Sequence, residues 1–278
     1  MIQNKQLHAV NQFLVIVLAL LFSKSVWALQ PYNMPKGVTD ISNSVFNLHM
    51  LIFYICCAIG VVVFAVMLYA IFYHRKSKGH KPAQFHESVL LEFLWTVVPF
   101  VILIAIAIPS TKVLIDMEDS SKADMTVKVT GYQWMWRYEY IDHNLDFYSA
   151  LKTPREEIYN RTEKNSNYLL EVDNELVLPI NRKVRILLTS NDVLHAWWVP
   201  DLAVKKDAIP GYINQMWTRI DKPGVYRGQC AELCGRDHGF MPVVVRAVEP
   251  EEFEQWLIEQ NAINKFASSE YEKNALAN

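Results

Sequence analysis

Cys230-Ala231-Glu232-Leu233-Cys234-Gly235-Arg236-Asp237-His238-Gly239-Phe240-Met241 places two thiols, an imidazole and a thioether within twelve residues. Thiolate and thioether are soft donors, and that mixture favours copper over calcium, magnesium or manganese. A structural zinc site also takes four side chains, but methionine is a poor reason to choose zinc. The steps from Cys230 to Cys234 to His238 to Met241 would share one face of a helix. The flanks argue against a helix: Gly224-Val225-Tyr226 precedes, Val243-Val244-Val245 follows, and Gly235, Gly239 and Pro242 interrupt. The stretch therefore reads as a loop joining two strands, with its donors converging through turns.

Cysteine arithmetic narrows the chemistry. The chain has four cysteines, and Cys56 and Cys57 sit inside an apolar run, where they read as small packing residues. Cys230 and Cys234 could form a disulfide, but that reading gives His238 and Met241 no role. A mononuclear blue-copper site uses one Cys, two His and a weak Met. The second cysteine here fits two thiolates bridging two coppers, which requires a second imidazole. His195, in Asn191-Asp192-Val193-Leu194-His195-Ala196-Trp197-Trp198, is the natural candidate; the alternative is a satisfied core histidine.

Length and composition bound the rest. The 278 residues are 51% hydrophobic with a formal net charge of -2, which fits one or two domains and gives no sign of a nucleic-acid partner. Residues 1–28 read as a signal peptide: Lys5, an apolar stretch Phe13 to Phe22, and Val26-Trp27-Ala28 as cleavage site, with an uncleaved anchor as the alternative. Residues 29–115 hold two runs long enough to span a bilayer, about 48–73 and 93–115, the second containing Pro99 and Pro109. The loop between them carries Arg75, Lys76, Lys78 and Lys81 against Glu87, which predicts a cytoplasmic loop and an external domain after Ile115. The cysteine loop would then work in an oxidising compartment.

Residues 116–264 predict an all-β domain with a C-terminal helix. Met125 to Tyr140 reads as one strand or a hairpin limb. Further strands are expected at Leu176 to Leu178, Val184 to Thr189, Gln215 to Ile220, Gly224 to Arg227 and Val243 to Val248, with a polar loop at 151–167. A helix is expected from Pro250 to about Asn264, followed by a polar tail, 265–278. The fold class is thus a membrane α-helical hairpin plus an all-β sandwich or barrel.

Along nearly its whole length the chain resembles subunit II of cytochrome c oxidase, in its two-helix hairpin, aromatic segment, histidine strand and Cys-x-Glu-x-Cys-x3-His-x2-Met loop. The resemblance implies a cupredoxin-like Greek-key domain with a dinuclear CuA centre. Cys230 and Cys234 would bridge both coppers, with one copper on His195 and the other on His238. Met241 would complete one copper, and the backbone carbonyl of Glu232 the other. The side chain of Glu232 would hold magnesium or manganese shared with subunit I, since carboxylate oxygen suits hard cations. The implied role is to accept electrons from reduced cytochrome c and pass them to haem in subunit I, where oxygen is reduced to water and protons are pumped. A copper-free quinol oxidase subunit is the competing reading, which the intact ligand set disfavours.

The same resemblance makes Trp134, in Gly131-Tyr132-Gln133-Trp134-Met135-Trp136-Arg137-Tyr138-Glu139-Tyr140, the first electron acceptor. In a regular strand Tyr132, Trp134, Trp136 and Tyr138 would share one face. An exposed Trp134 therefore needs a bulge or edge position. Glu139, Asp142, Asp146 and Asp192 are candidate docking acids for basic cytochrome c, or ordinary solvated residues. Glu92 would open a proton path into subunit I, or be an interfacial acid. Lys205 to Gly211 is expected to be a loop facing subunit I. Subunit III is a further implied partner. The signal peptide points to a bacterial inner membrane, with the copper domain on the periplasmic side.

Overall fold

Two apolar helices and two five-stranded sheets make up the architecture. A computed structural model describes residues 33–276 apart from 80, 82, 83 and 85, and side chains as far as residue 263. The expected signal peptide lies outside the described residues. Helix α1 spans Asp40–Tyr73 and α2 spans Val89–Glu118. Both are long and apolar enough to cross a membrane and present their apolar surface outward. Each extends past the run read from hydropathy. Thr39 explains the early start of α1. Its hydroxyl caps the Ser42 amide while the Ser42 hydroxyl accepts from the Thr39 amide, satisfying helix-end donors reciprocally. Pro99 and Pro109 lie inside α2 without ending it.

The first sheet runs in the order β3-β2-β1-β5-β8: Leu145–Ser149, Met135–Tyr140, Met125–Tyr132, Val184–Ser190 and Asn214–Thr218. The second runs β4-β10-β9-β6-β7: Leu176–Pro179, Pro242–Val248, Gly224–Cys230, His195–Val199 and Val204–Ala208. Burial alternates along β5 and β2, as expected for strands with one face on a core. Val127, Val129, Ile186, Leu188, Leu176, Leu178, Val243 and Val245 fill the space between the sheets. Each such side chain contributes on the order of 1.5–3 kcal/mol relative to exposure. Tyr140 crosses between the sheets: its hydroxyl donates to the Val177 carbonyl at 2.7 Å and accepts from the Val177 amide at 3.0 Å.

Three expectations need correction. The segment 125–140 is two strands. Tyr132 pairs with Met135, leaving Gln133-Trp134 as a two-residue turn joined by a cis peptide. The stretch read as a loop, Lys205 to Gly211, begins as edge strand β7, paired with β6 from His195↔Ala208 to Val199↔Val204. Its charged alternation Val204-Lys205-Lys206-Asp207-Ala208 hid it, although Val204 and Ala208 are buried and Lys205 is exposed. Helix α3 runs Pro250–Leu276, beyond Asn264 and into the expected tail. A single helical turn, Arg155–Ile158, interrupts the polar loop.

The hairpin and the sandwich are joined directly. Lys206 bonds Glu118 at 2.8 Å, Trp217 Nε1 donates to the Asp116 carbonyl at 3.0 Å, and Lys183 Nζ donates to the Asp119 and Ser121 carbonyls. Arg219 pairs with Asp40, and Thr39 bridges Ile220.

Candidate metal centre

Strands β9 and β10 hold the two ends of the cysteine loop together. Gln229 opposes Pro242, and the Cys230 amide donates to the Met241 carbonyl at 3.2 Å. The loop is therefore closed at its base and its donors fold inward. Strand β6 lies on the other side of β9, with Trp197 opposite Cys230, and the Ala231 amide donates to the Ala196 carbonyl at 2.9 Å. That register delivers His195 to the thiols from a distant part of the sequence.

The donors converge. Cys230 Sγ lies 3.8 Å from Cys234 Sγ and 3.9 Å from His195 Nδ1. Cys234 Sγ lies 3.5 Å from both His238 Nδ1 and Met241 Sδ. Cys230 Sγ is 3.3 Å from the Glu232 carbonyl oxygen. Among the described residues, the His195, Cys230 and Cys234 donor atoms lie within 4.8 Å of one another. The sulfurs are far beyond the ~2.05 Å of a disulfide. The donor set is soft, buried and convergent, so it fits copper.

Electrostatics divide the two thiols. Burial raises Cys230, but His195 and the Ala196 and Glu232 backbone outweigh it and bring the thiol to about 7. Burial and the neighbouring Cys230 push Cys234 up to about 12.

His195 is fully buried and held from three sides. Its Nε2 faces Asp192 Oδ1 at 2.9 Å, leaving Nδ1 for the thiol side. Trp136 meets the ring edge-on at 5.9 Å between centroids. Gly131 lies beneath it, where an added Cβ would come within 2.8 Å of the imidazole. Burial raises Asp192, but hydrogen bonds from His195, Val193 and Gln133 outweigh it and lower its pKa. Burial lowers His195, but Cys230 and Asp192 outweigh it and raise the imidazole. Such a carboxylate fixes the tautomer and orientation of a ligating histidine. Asp192, by sequence a candidate docking acid or a solvated residue, has this further contact, and its i,i+3 spacing from His195 is the signal for it.

Trp134 contacts the loop from outside. Its Nε1 donates to the Cys234 carbonyl at 3.1 Å, and Gln133 Nε2 donates to the same oxygen at 2.8 Å. The turn makes Trp134 half-buried, while Trp136 and Tyr138 are fully buried in the core. Gly235, at φ 113°, packs so closely that a Cβ would lie 3.2 Å from the Trp134 ring.

The other candidates lie apart from this cluster in the bonds they make. Glu139 pairs with Lys128 at 2.9 Å, and Asp146 with Arg137 at 2.9 Å. Asp142 accepts from the Thr126 amide. Glu92 sits exposed in the first turn of α2. The half-buried Glu232 contributes its carbonyl to the cluster.

Comparison with known proteins shows the family. Residues 125–248 match the family described as Cytochrome C oxidase subunit II, periplasmic domain, and residues 25–113 match its transmembrane domain. A probable cytochrome c oxidase subunit 2 of Rickettsia bellii is 36% identical over 92% of this chain and 96% of its own length. One from Rickettsia conorii is 40% identical over 89% of this chain and 79% of its own. The solved periplasmic domain of subunit II of cytochrome oxidase from Bradyrhizobium japonicum is 42% identical, covering 51% of this chain and 97% of that one at a TM-score of 0.46.

Proposed function

Because the chain belongs to the cytochrome c oxidase subunit II family, we propose that it takes electrons from reduced cytochrome c at a dinuclear copper centre and hands them to haem in subunit I. Oxygen reduction and proton pumping then belong to the haem-copper oxidase complex of which the chain is a subunit. The observation that carries this reading is the closure of buried His195, Cys230, Cys234 and Met241 and half-buried His238 into one cluster beside Trp134.

When bound, the copper pair supplies one-electron transfer with its charge change spread over two metals. The chain's own residues set the conditions. Cys230 and Cys234 would hold the copper as thiolates, His195 and His238 would each add an imidazole, and Met241 and the Glu232 carbonyl would supply the weaker donors. Asp192 orients His195. Burial by Trp136, Trp197 and the β-core excludes water and limits reorganisation. Trp134 gives an electron a direct hydrogen-bonded route to the backbone of a ligand.

The remaining assignments follow from the same reading. The Glu232 side chain holds magnesium or manganese together with subunit I. Glu92 opens a proton path towards subunit I, and subunit III completes the assembly. Glu139, Asp142, Asp146 and Asp192 supply carboxylates to the donor-facing side. The chain is a membrane subunit; its basic α1–α2 loop supports a cytoplasmic loop and a periplasmic copper domain in a bacterial inner membrane.

The test is metal stoichiometry on the full chain in detergent, with electron paramagnetic resonance. Two coppers per chain sharing one unpaired electron are expected. A single copper with its own hyperfine pattern, or no retained copper, overturns the reading.

A further inference from the structure

Ser190 takes the last place on strand β5 and continues its buried row, Val184, Ile186 and Leu188. A hydroxyl at the end of an apolar row is out of pattern, and its surroundings explain it. Strand β5 belongs to the first sheet and β6 to the second, so residues 191–194 carry the chain from one sheet to the other and deliver His195. Ser190 also pairs with Gly131, whose bare backbone lies beneath the imidazole.

The Ser190 hydroxyl fastens this crossover. Its oxygen accepts from the Asp192 amide at 3.2 Å, and its proton goes to the Val193 carbonyl, its shortest contact. Asp192 Oδ1 at 3.3 Å and the Gly131 carbonyl at 3.4 Å lie farther off. A serine hydroxyl has one proton and two lone pairs, so the two bonds form together. The turn closed in this way aims the Asp192 carboxylate. Its Oδ1 accepts from the Val193 amide at 2.6 Å and faces His195 Nε2 at 2.9 Å, while Oδ2 accepts from the Gln133 amide at 2.7 Å. Ser190 is buried, whereas Asn191 to Leu194 are exposed. The hydroxyl is thus the inner anchor of a turn that otherwise faces solvent.

We propose that Ser190 is a positioning residue for the metal centre, acting on His195 through Asp192. This rests on the reading of His195 as a copper ligand. Ser190 acts by geometry alone: the hydroxyl fixes the turn, the turn fixes the carboxylate, and the carboxylate fixes the ring with Nδ1 towards Cys230. A ligand set works within about 0.5 Å of its productive geometry, so slack in the turn reaches the metal. The carboxylate behind a ligating histidine transmits such slack directly.

The test uses the full chain in detergent, loaded with copper and titrated with a competing chelator. Thermal unfolding of the copper-free protein is measured alongside. Ser190→Ala, which removes one oxygen, is expected to weaken copper retention roughly three- to tenfold, the scale of a lost buried hydrogen bond. The same change in an Asp192→Ala background should alter retention by less than about twofold, because the route through the carboxylate is already gone. If Ser190→Ala lowers the unfolding temperature but leaves copper retention unchanged, the residue only supports the fold and the inference is overturned. If its effect persists in full on the Asp192→Ala background, Ser190 does not act through Asp192 and the inference is overturned as well. In both cases a wild-type chain that holds two coppers leaves the proposed function standing. If the wild-type chain retains no copper, both fail together.

Discussion

His195 and His238 offer the same imidazole from two kinds of backbone. His195 opens strand β6, is fully buried, and is fixed by Asp192, Trp136 and the bare backbone of Gly131. His238 opens a short 3-10 turn, is half-buried, and reaches Cys234 from within the loop. Beneath Gly239, its neighbour, an added Cβ would meet nothing within 4 Å. One ligand is thus positioned by the core before any metal arrives, and the other by a loop pinned at its base and, at Cys234, by Gln133 and Trp134. The difference shows how one site can combine a side buried in the core with a side held by a few hydrogen bonds. The buried side needs complementary packing around it, and the loop side needs a closed base and a clamp at Cys234.

The strongest way to break the comparison is to remove the donor both halves share. Cys234→Ser should abolish the dinuclear signal and reduce copper to at most one per chain, read by metal analysis and paramagnetic resonance. If the buried side alone can hold the pair, that signal survives.

A matched pair of glycine substitutions sharpens it. Gly131→Ala should cost about 1–3 kcal/mol by overpacking against His195 and should lower copper retention. Gly239→Ala should stay within about 0.5 kcal/mol. Thermal unfolding of the two variants measures the contrast; equal effects would erase the distinction between the two histidines.

Asp192→Asn keeps the shape and removes the charge beside His195. Copper affinity should fall about 10- to 100-fold by competition with a chelator, the usual range for losing a carboxylate behind a ligating histidine. Trp134→Phe should do least to the site. It removes one hydrogen bond to the Cys234 carbonyl, about 0.5–1.5 kcal/mol. It should leave the copper spectrum unchanged while slowing reduction by cytochrome c; an unchanged rate would take Trp134 off the route.

The parts legible in sequence were those with a strong local signal. The apolar runs marked α1 and α2, and dense donor spacing with strand-like flanks marked the loop. What escaped depends on contacts between distant segments. Strand β7 carries Lys205, Lys206 and Asp207 because it is an edge, and only its pairing with β6 reveals it. The turn at Gln133-Trp134 hid inside continuous aromatic alternation. Asp192 looked like a surface acid until β6 brought its neighbour His195 under the sandwich. Met241 and His195 are legible as candidate donors from residue type, and the Glu232 carbonyl only through the family resemblance; the geometry gathers those atoms. The ion pairs of Glu139 with Lys128 and of Asp146 with Arg137 join different strands, so inspection of single strands does not display them.

The direct joints between α2 and the sandwich set a height. Thirty helical residues rise about 45 Å, against roughly 30 Å of hydrocarbon. About a third of the rod's length exceeds the hydrocarbon and is shared between its two ends, the upper one a plinth for the sandwich. Glu118 and the carbonyls of Asp116 and Asp119, at its upper end, are gripped by Lys206, Trp217 and Lys183. A head bolted to a plinth cannot swing like one on a string, so the altitude of the cysteine cluster above the bilayer is a matter of helix length. Inserting one helical turn near the top of α2 would raise one post by about 5.4 Å and leave α1 short. The chain would then have to choose between tilting in the lipid and tearing its joints.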